Sequence, residues 1–198
     1  MTWAIHSIVY RDLGDEAEAA RYFVKGYDSY VRGAFKTWHE GYGVFGGVCV
    51  STRSQRCHFR RLIARAPVFV WDCRTTFITG AGGWLQSVFA GYGGLRLTRD
   101  GALTLKNPLP PPNCTAMRLR QISYLGNFLT VEIQRDGWSV RLVDGSANSN
   151  ALTGLPVASL ELIMDDGKVR PLGHQPLECK SGTSATIRKS AGGLNDIQ

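Results

Sequence analysis

The chain has 198 residues, 43% of them hydrophobic and 20% charged, with a formal net charge of +7. Its length suits one large domain or two small pieces with a real core, so it should be globular. No run approaches the roughly 20 apolar residues of a membrane span, and no basic segment leads into an apolar signal core, so a soluble cytoplasmic protein without a membrane partner is expected.

The charge is unevenly placed. Residues 48–74 hold Arg53, Arg56, Arg60, Arg61, Arg65 and Arg74 against Asp72 alone, so five of the seven net charges sit there. Cys49, Cys57 and Cys73 share that segment, and the chain's odd total of five cysteines argues for reduced thiols rather than a disulfide framework.

Residues 3–13 and 15–31 read as a helical pair around Gly14. In the second, Ala20, Phe23, Val24, Tyr27 and Val31 recur at helical spacing, Asp15 can cap the first turn with Glu18 three places on, and Gly33 supplies the stop. A glycine-flanked turn follows, Phe35-Lys36-Thr37-Trp38-His39-Glu40-Gly41. After the arginine-rich segment, Thr79 offers an N-cap to a helix over 80–90 whose Trp84, Leu85, Val88 and Phe89 face one way, ending at Gly91.

From Leu95 the apolar period falls from about 3.6 to 2, which marks a passage from helix to sheet. Residues 95–98 and 103–105 read as a hairpin around Asp100-Gly101. Asn107 to Pro112 is a stiff connector and the predicted domain boundary. Residues 117–124, 128–134 and 138–143 describe a meander, in which Leu129, Val131 and Ile133 face Trp138, Val140 and Leu142 in alternation. With 159–164 and 184–188 they predict a small antiparallel sandwich; 146–154 is a loop and the tail 191–198 is expected to be disordered.

Several motifs taken together carry a family resemblance. The run from Trp3 to Gly14, the helix to Val31, Phe35 to Glu40, Phe77-Ile78-Thr79-Gly80-Ala81-Gly82-Gly83-Trp84-Leu85-Gln86 and Gly91-Tyr92-Gly93-Gly94-Leu95-Arg96 resemble the closing part of glycoside hydrolase family 65, in its acid-trehalase-like branch. The resemblance covers residues 1–47 and 75 to about 143, and the remaining tail weakly. It implies an α+β fragment: 1–94 as the last helices of an (α/α)6 barrel, 95–112 as hairpin and connector, and 113–190 as a C-terminal β-sandwich. It also implies an inverting α-glucosidase acting on glucosylgalactosyl-hydroxylysine of collagen-type substrates, or on another α-glucoside, with no cofactor and no metal.

Inversion needs a protonated acid at the leaving oxygen and, about 6.5–9.5 Å away, a carboxylate that activates water. Glu40 matches the family position of that base, and Trp38 and Lys36 are placed to stack on and hydrogen-bond a sugar. Family phosphorylases use phosphate and need no such base, so the Trp38-His39-Glu40 turn favours a hydrolase. The partner acid is expected upstream of Met1, which would leave the isolated chain inactive. Two departures stand out: Thr76 replaces an asparagine, and residues 48–74 intervene where relatives join the two motifs almost directly, as a translated intron would.

Each signal also has a plainer reading. Glu40 fits a solvated turn residue, Trp38 a core position, Lys36 a solvated cation, and His39 a neighbour pointing elsewhere. The Gly80-Ala81-Gly82-Gly83 run resembles an anion-binding turn but lacks a P-loop's lysine, so close helix packing accounts for it better. Cys49, Cys57, His58 and Cys73 lack the spacing of paired zinc knuckles. Two other classes stay open: a polyanion or nucleic-acid binder acting through the arginine cluster, not favoured because no recognition fold accompanies it, and a non-catalytic carbohydrate-binding or scaffolding remnant.

Overall fold

The computed structural model describes residues 2–32, 37–38, 78–143 and 157–190. The expectations for the insert 48–74, the loop 146–154 and the tail 191–198 lie outside these residues.

The first two helices are α1 (Trp3–Leu13) and α2 (Glu16–Lys25), and the cap read from sequence is present. Asp15 precedes α2 and its carboxylate accepts from the Glu18 N–H at 3.0 Å. Ala4 and Ser7 of α1 are buried against Ala19 and Phe23 of α2, and the Ser7 hydroxyl donates to the Ala19 carbonyl at 2.9 Å. Helix α2 ends at Lys25, well before Gly33. The Gly26 N–H folds back onto the Tyr22 and Phe23 carbonyls, and a turn leads into β1 (Val31–Arg32), which pairs antiparallel with β2 (Thr37–Trp38).

The third helix, α3 (Ile78–Gln86), starts before Thr79, so Thr79 is not its cap. It runs into a π-helical turn over Ser87–Tyr92, closed by the Gly93 N–H on the Val88 carbonyl at 2.7 Å. Its inward face also differs from the one predicted. Ser87, Gly91 and Tyr92 are buried, whereas Leu85 and Phe89 are exposed with Ile78. The wider π turn rotates the later residues, which is why a strict 3.6 period misplaces them.

The remaining strands form two antiparallel sheets. One has five strands in the order β3 (Leu95–Leu97), β4 (Leu103–Leu105), β11 (Ala185–Lys189), β8 (Leu160–Met164), β9 (Val169–Pro171). The other has four, β10 (Leu177–Lys180), β7 (Gly137–Val143), β6 (Asn127–Gln134), β5 (Ala116–Tyr124). Leu105, Leu162 and Ile187 from the first sheet and Leu129, Val131, Ile133, Trp138 and Val140 from the second share one buried cluster, so the sheets face each other as a sandwich. The predicted meander is β5–β6–β7, with the alternation read from sequence. The described residues show this sandwich and do not show an (α/α)6 barrel. No helix among them is long and apolar enough to cross a membrane.

Residues 95–112 are not set apart from the sandwich. Leu103 pairs with Ile187 and Leu105 with Ala185, so the hairpin is part of the five-stranded sheet. The proline-rich connector then crosses to the other sheet under tight restraint. Arg11 Nη2 donates to the Asn107 carbonyl at 2.8 Å, the Asn107 N–H to Ser184 Oγ at 3.1 Å, and the Leu109 N–H to the Tyr92 carbonyl at 2.9 Å. A polyproline segment makes no hydrogen bonds of its own, so its free groups are satisfied by both the helices and the sandwich.

The same seam is closed by Gly94, which holds φ +65 and brings its backbone against Lys106. A Cβ there would stand 2.3 Å from the Lys106 carbonyl oxygen. Asp12 of α1 lies 3.3 Å from Arg96 and 3.4 Å from Lys106, adding a partly exposed ion-pair cluster across the seam.

Among the described cysteines, Cys179 is buried in the sandwich and Cys114 is exposed. Burial pushes the Cys179 thiol up to about 11, with Arg170 pulling weakly the other way. The thiolate is the reactive form, so at mildly alkaline pH Cys179 stays protonated. Iodoacetamide followed by peptide mass spectrometry should label Cys114 in the native chain and reach Cys179 only after unfolding. Equal labelling of both would contradict this placement.

Candidate functional site

Of the three site residues read from sequence, Trp38 lies among the described residues, whereas Lys36 and Glu40, together with His39, lie outside them. Cys49, Cys57, His58 and Cys73 also lie outside.

Trp38 sits on β2, opposite Val31 of β1, and the short ladder turns it toward α3. There it meets Trp84, with ring centroids 5.8 Å apart and the planes tilted by 48°. Trp84 is the hub of an aromatic cluster: Phe23 lies 5.3 Å from it and Tyr27 meets it edge-on at 5.7 Å, while Phe23 contacts Tyr92 at 4.9 Å. Offset and edge-to-face rings at these distances stabilise a cluster beyond their buried area alone, by about 0.5–1.5 kcal/mol per pair.

Trp3 closes the recess from α1, its indole N–H donating to the Tyr30 hydroxyl at 3.3 Å, and the Lys25 ammonium lies 3.8 Å over its ring. Gly26 passes close by: a Cβ there would stand 3.1 Å from the Phe23 carbonyl oxygen and 3.4 Å, an ordinary contact, from Trp84 Cδ1. The pocket bounded by Trp3, Gly26, Tyr30, Trp38, Gly80 and Trp84 holds about 10 Å³ of free space. That is close to the minimum for one water and far too little for a sugar ring. The Trp84 indole N–H is buried here without a hydrogen-bond partner among the described residues.

The arrangement therefore makes a rigid aromatic floor that fixes β2, two residues short of Glu40. The face that Trp38 turns to Trp84 is already occupied by a ring. The glycine run, read as a turn ahead of a helix, lies inside α3. A Cβ on Gly82 or Gly83 would meet nothing within 4 Å, so close packing among the described residues does not explain those two glycines.

At the edge of the cluster the Arg11 guanidinium lies 5.4 Å from the Tyr92 ring centroid. Burial raises the Tyr92 phenol above its usual range, while Arg11 and the Ser7 hydroxyl oppose that rise. Tyr92 thus stays neutral and acts as a packing group.

Sequence reasoning placed Trp38 at a sugar site and Trp84 on a helix's apolar face, and did not bring the two together. Trp3, Tyr30 and Trp84 come from three distant segments.

No family model matches the chain. It is similar to three curated proteins, each named protein-glucosylgalactosylhydroxylysine glucosidase. The Danio rerio protein is 27% identical over 146 residues, 73% of this chain and 18% of that protein. The Mus musculus protein is 26% identical over 136 residues, 69% of this chain and 15% of that one. The Dictyostelium discoideum protein is 34% identical over 79 residues, 37% and 10% respectively. The chain thus spans less than a fifth of the length of these relatives. A solved structure described as a kojibiose phosphorylase from the human microbiome matches 90% of this chain and 18% of that one, with a TM-score of 0.51 and 16% identity, a likeness of fold alone.

Proposed function

We propose that this chain, similar over most of its length to family 65 glucosidases, is the C-terminal portion of an inverting α-glucosidase that removes glucose from glucosylgalactosyl-hydroxylysine. The observation that carries the reading is the similarity to three glucosidases of that name, in a chain whose Trp38-His39-Glu40 motif begins at a tryptophan packed on an aromatic cluster.

In this reading Glu40 is the general base. It takes a proton from a water that attacks the anomeric carbon from the face opposite the leaving group, while an acid on another part of the helical domain protonates the leaving oxygen. The packing of Trp38 on Trp84 supplies the rigidity such a base needs, since a displacement of about 1 Å costs on the order of 100-fold in rate. Lys36, two residues before Trp38 in sequence, is assigned as a hydrogen-bond donor to sugar hydroxyls, and Trp38 as a ring for the sugar to meet.

The helices carry a further sign of a larger helical partner. Ile5, Val9 and Leu13 recur every fourth residue on α1 and are exposed, as are Ile78, Leu85 and Phe89 on α3 and the turn that continues it. Apolar stripes of this kind are normally covered. In the proposed enzyme they lie where other helices of the domain pack.

The test is a chimera in which this chain, with residues 48–74 deleted, replaces the matching stretch of the Mus musculus glucosidase. Glucose release from the glucosylgalactosyl-hydroxylysine unit is expected from the chimera and not from the isolated chain. A folded chimera without any glucosidase activity would overturn the reading.

A further inference from the structure

The helices and the sandwich meet at the last turn of α1, where a charge is taken out of water. The Arg11 side chain is 5% exposed, and arginine keeps its charge inside proteins. Its described neighbours come from both halves of the molecule. On the helical side Glu16, itself 67% exposed, lies 3.4 Å from Nη1, and the Tyr92 ring centroid lies 5.4 Å from the guanidinium carbon. On the sandwich side the Asn107 carbonyl accepts from Nη2 at 2.8 Å.

Asn107 is a firmly held acceptor. It follows β4 by two residues, holds φ +42, donates its N–H to Ser184 Oγ at 3.1 Å and precedes Pro108, whose side chain is fully buried. Ser184 leads into β11, the middle strand of the five-stranded sheet, and its own N–H donates to the Asp165 carboxylate at 2.6 Å. One carbonyl thus ties Arg11 to the centre of that sheet. In the other direction Tyr92 meets Phe23 of α2, with ring centroids 4.9 Å apart, so the same guanidinium reaches both helices.

Asp12, the next residue, supplies a contrast. It is 40% exposed, and pairs of this kind with Arg96 and Lys106 are screened by solvent and hold little. A buried guanidinium is different, because parting it from its acceptor leaves a charge unmatched in a dry seam. The planar fork also reaches Glu16 and Asn107 at once, which a lysine ammonium, a single point of charge, does not reproduce.

We propose that Arg11 is a latch that makes the helices and the sandwich one cooperative unit, so that the helical pair opens only when the sandwich does. Contacts between parts of a chain ordinarily permit relative motion, and a buried, directional link is what removes it here. The sandwich then has a task of its own: it buttresses the helices on which the aromatic cluster is built. The inference does not rest on the glycosidase reading, and its test reads no activity.

The experiment is native-state hydrogen exchange of the full chain at increasing urea, read residue by residue. In the unaltered chain the slowest amides of α1 and α2 should open with the same free energy as those of β6 and β7, and with the same urea dependence. In Arg11→Met, which fills the space and removes the link, the helical amides should open about tenfold or more above the strand amides, the size of one lost charge-assisted hydrogen bond. Asp12→Asn should change helical opening by less than about fivefold. Helical amides that already exchange far faster than the strands in the unaltered chain would overturn the proposal. So would an Arg11→Met chain in which helices and strands stay equally protected. Should that variant not fold, Arg11→Lys, which keeps the charge and loses the fork, is expected to show the same separation, and equal protection there would count against the latch in the same way.

Discussion

Glu40→Gln in the active chimera lowers kcat for glucose release by about 10²–10⁴-fold, the range that a positioned general base contributes, and leaves KM close to its starting value. The substitution preserves shape and removes only the capacity to take a proton from the attacking water. The variant should still fold and still bind sugar, because the neighbouring aromatic cluster is made by other residues: Trp38 leans on Trp84, which is itself held by Phe23 and Tyr27. An equal fall in kcat and kcat/KM identifies an interaction made only in the transition state, whereas a rise in KM alone would assign Glu40 to ground-state sugar binding. Unchanged activity would remove Glu40 from the mechanism.

Trp138→Ala destabilises the sandwich by about 3–5 kcal/mol, a large part of the roughly 5–15 kcal/mol that holds a domain together. Trp138 is 2% exposed and is the largest fully buried side chain among the described residues. It opens β7, pairs with Ile133 on one side and Cys179 on the other, and its indole N–H donates to the Thr183 carbonyl at 3.2 Å, on the approach to β11 of the facing sheet. Removing it therefore leaves a cavity and an unpaired carbonyl at a point where the two sheets are joined. Urea denaturation should show a fall in the midpoint, against a change within about 0.5 kcal/mol for Leu97→Ala, whose side chain is 70% exposed. A cost near that of Leu97→Ala would mean that the sheets do not pack as described.

Most of the sandwich was legible because its strands alternate cleanly. Leu129, Val131 and Ile133 are all fully buried, and their polar neighbours Glu132 and Gln134 are not, although Thr130 between the first two is buried as well. β9 and β10 were missed for a definite reason. They are short, β9 is exposed throughout, and Pro171, Gly173 and Pro176 break up the local pattern, so only pairing with β8 and β7 makes strands of them.

The helical part was read less well at its ends than in its middle. α2 stops at Lys25, where the Gly26 N–H folds back onto the Tyr22 and Phe23 carbonyls, short of the Gly33 that the local pattern offered as the stop. Past α3 the inward face is set by the π turn over Ser87–Tyr92, in which Ser87 and Tyr92 are buried and Phe89 is exposed. For the site itself, the turn motif pointed to Trp38 but not to the rings that hold it, since Trp3, Tyr30 and Trp84 meet only in the folded chain.

The proposed pair of carboxylates, with Glu40 as its water-activating half, fixes the stereochemistry of the product, and proton NMR of the anomer formed in the first moments of the chimera's reaction reads that directly. An α-linked glucose must appear first as β-glucose, the inverted product, and only then mutarotate. Glucose that appears first as the α-anomer would mean a covalent intermediate and a second displacement, and would contradict the role given to Glu40.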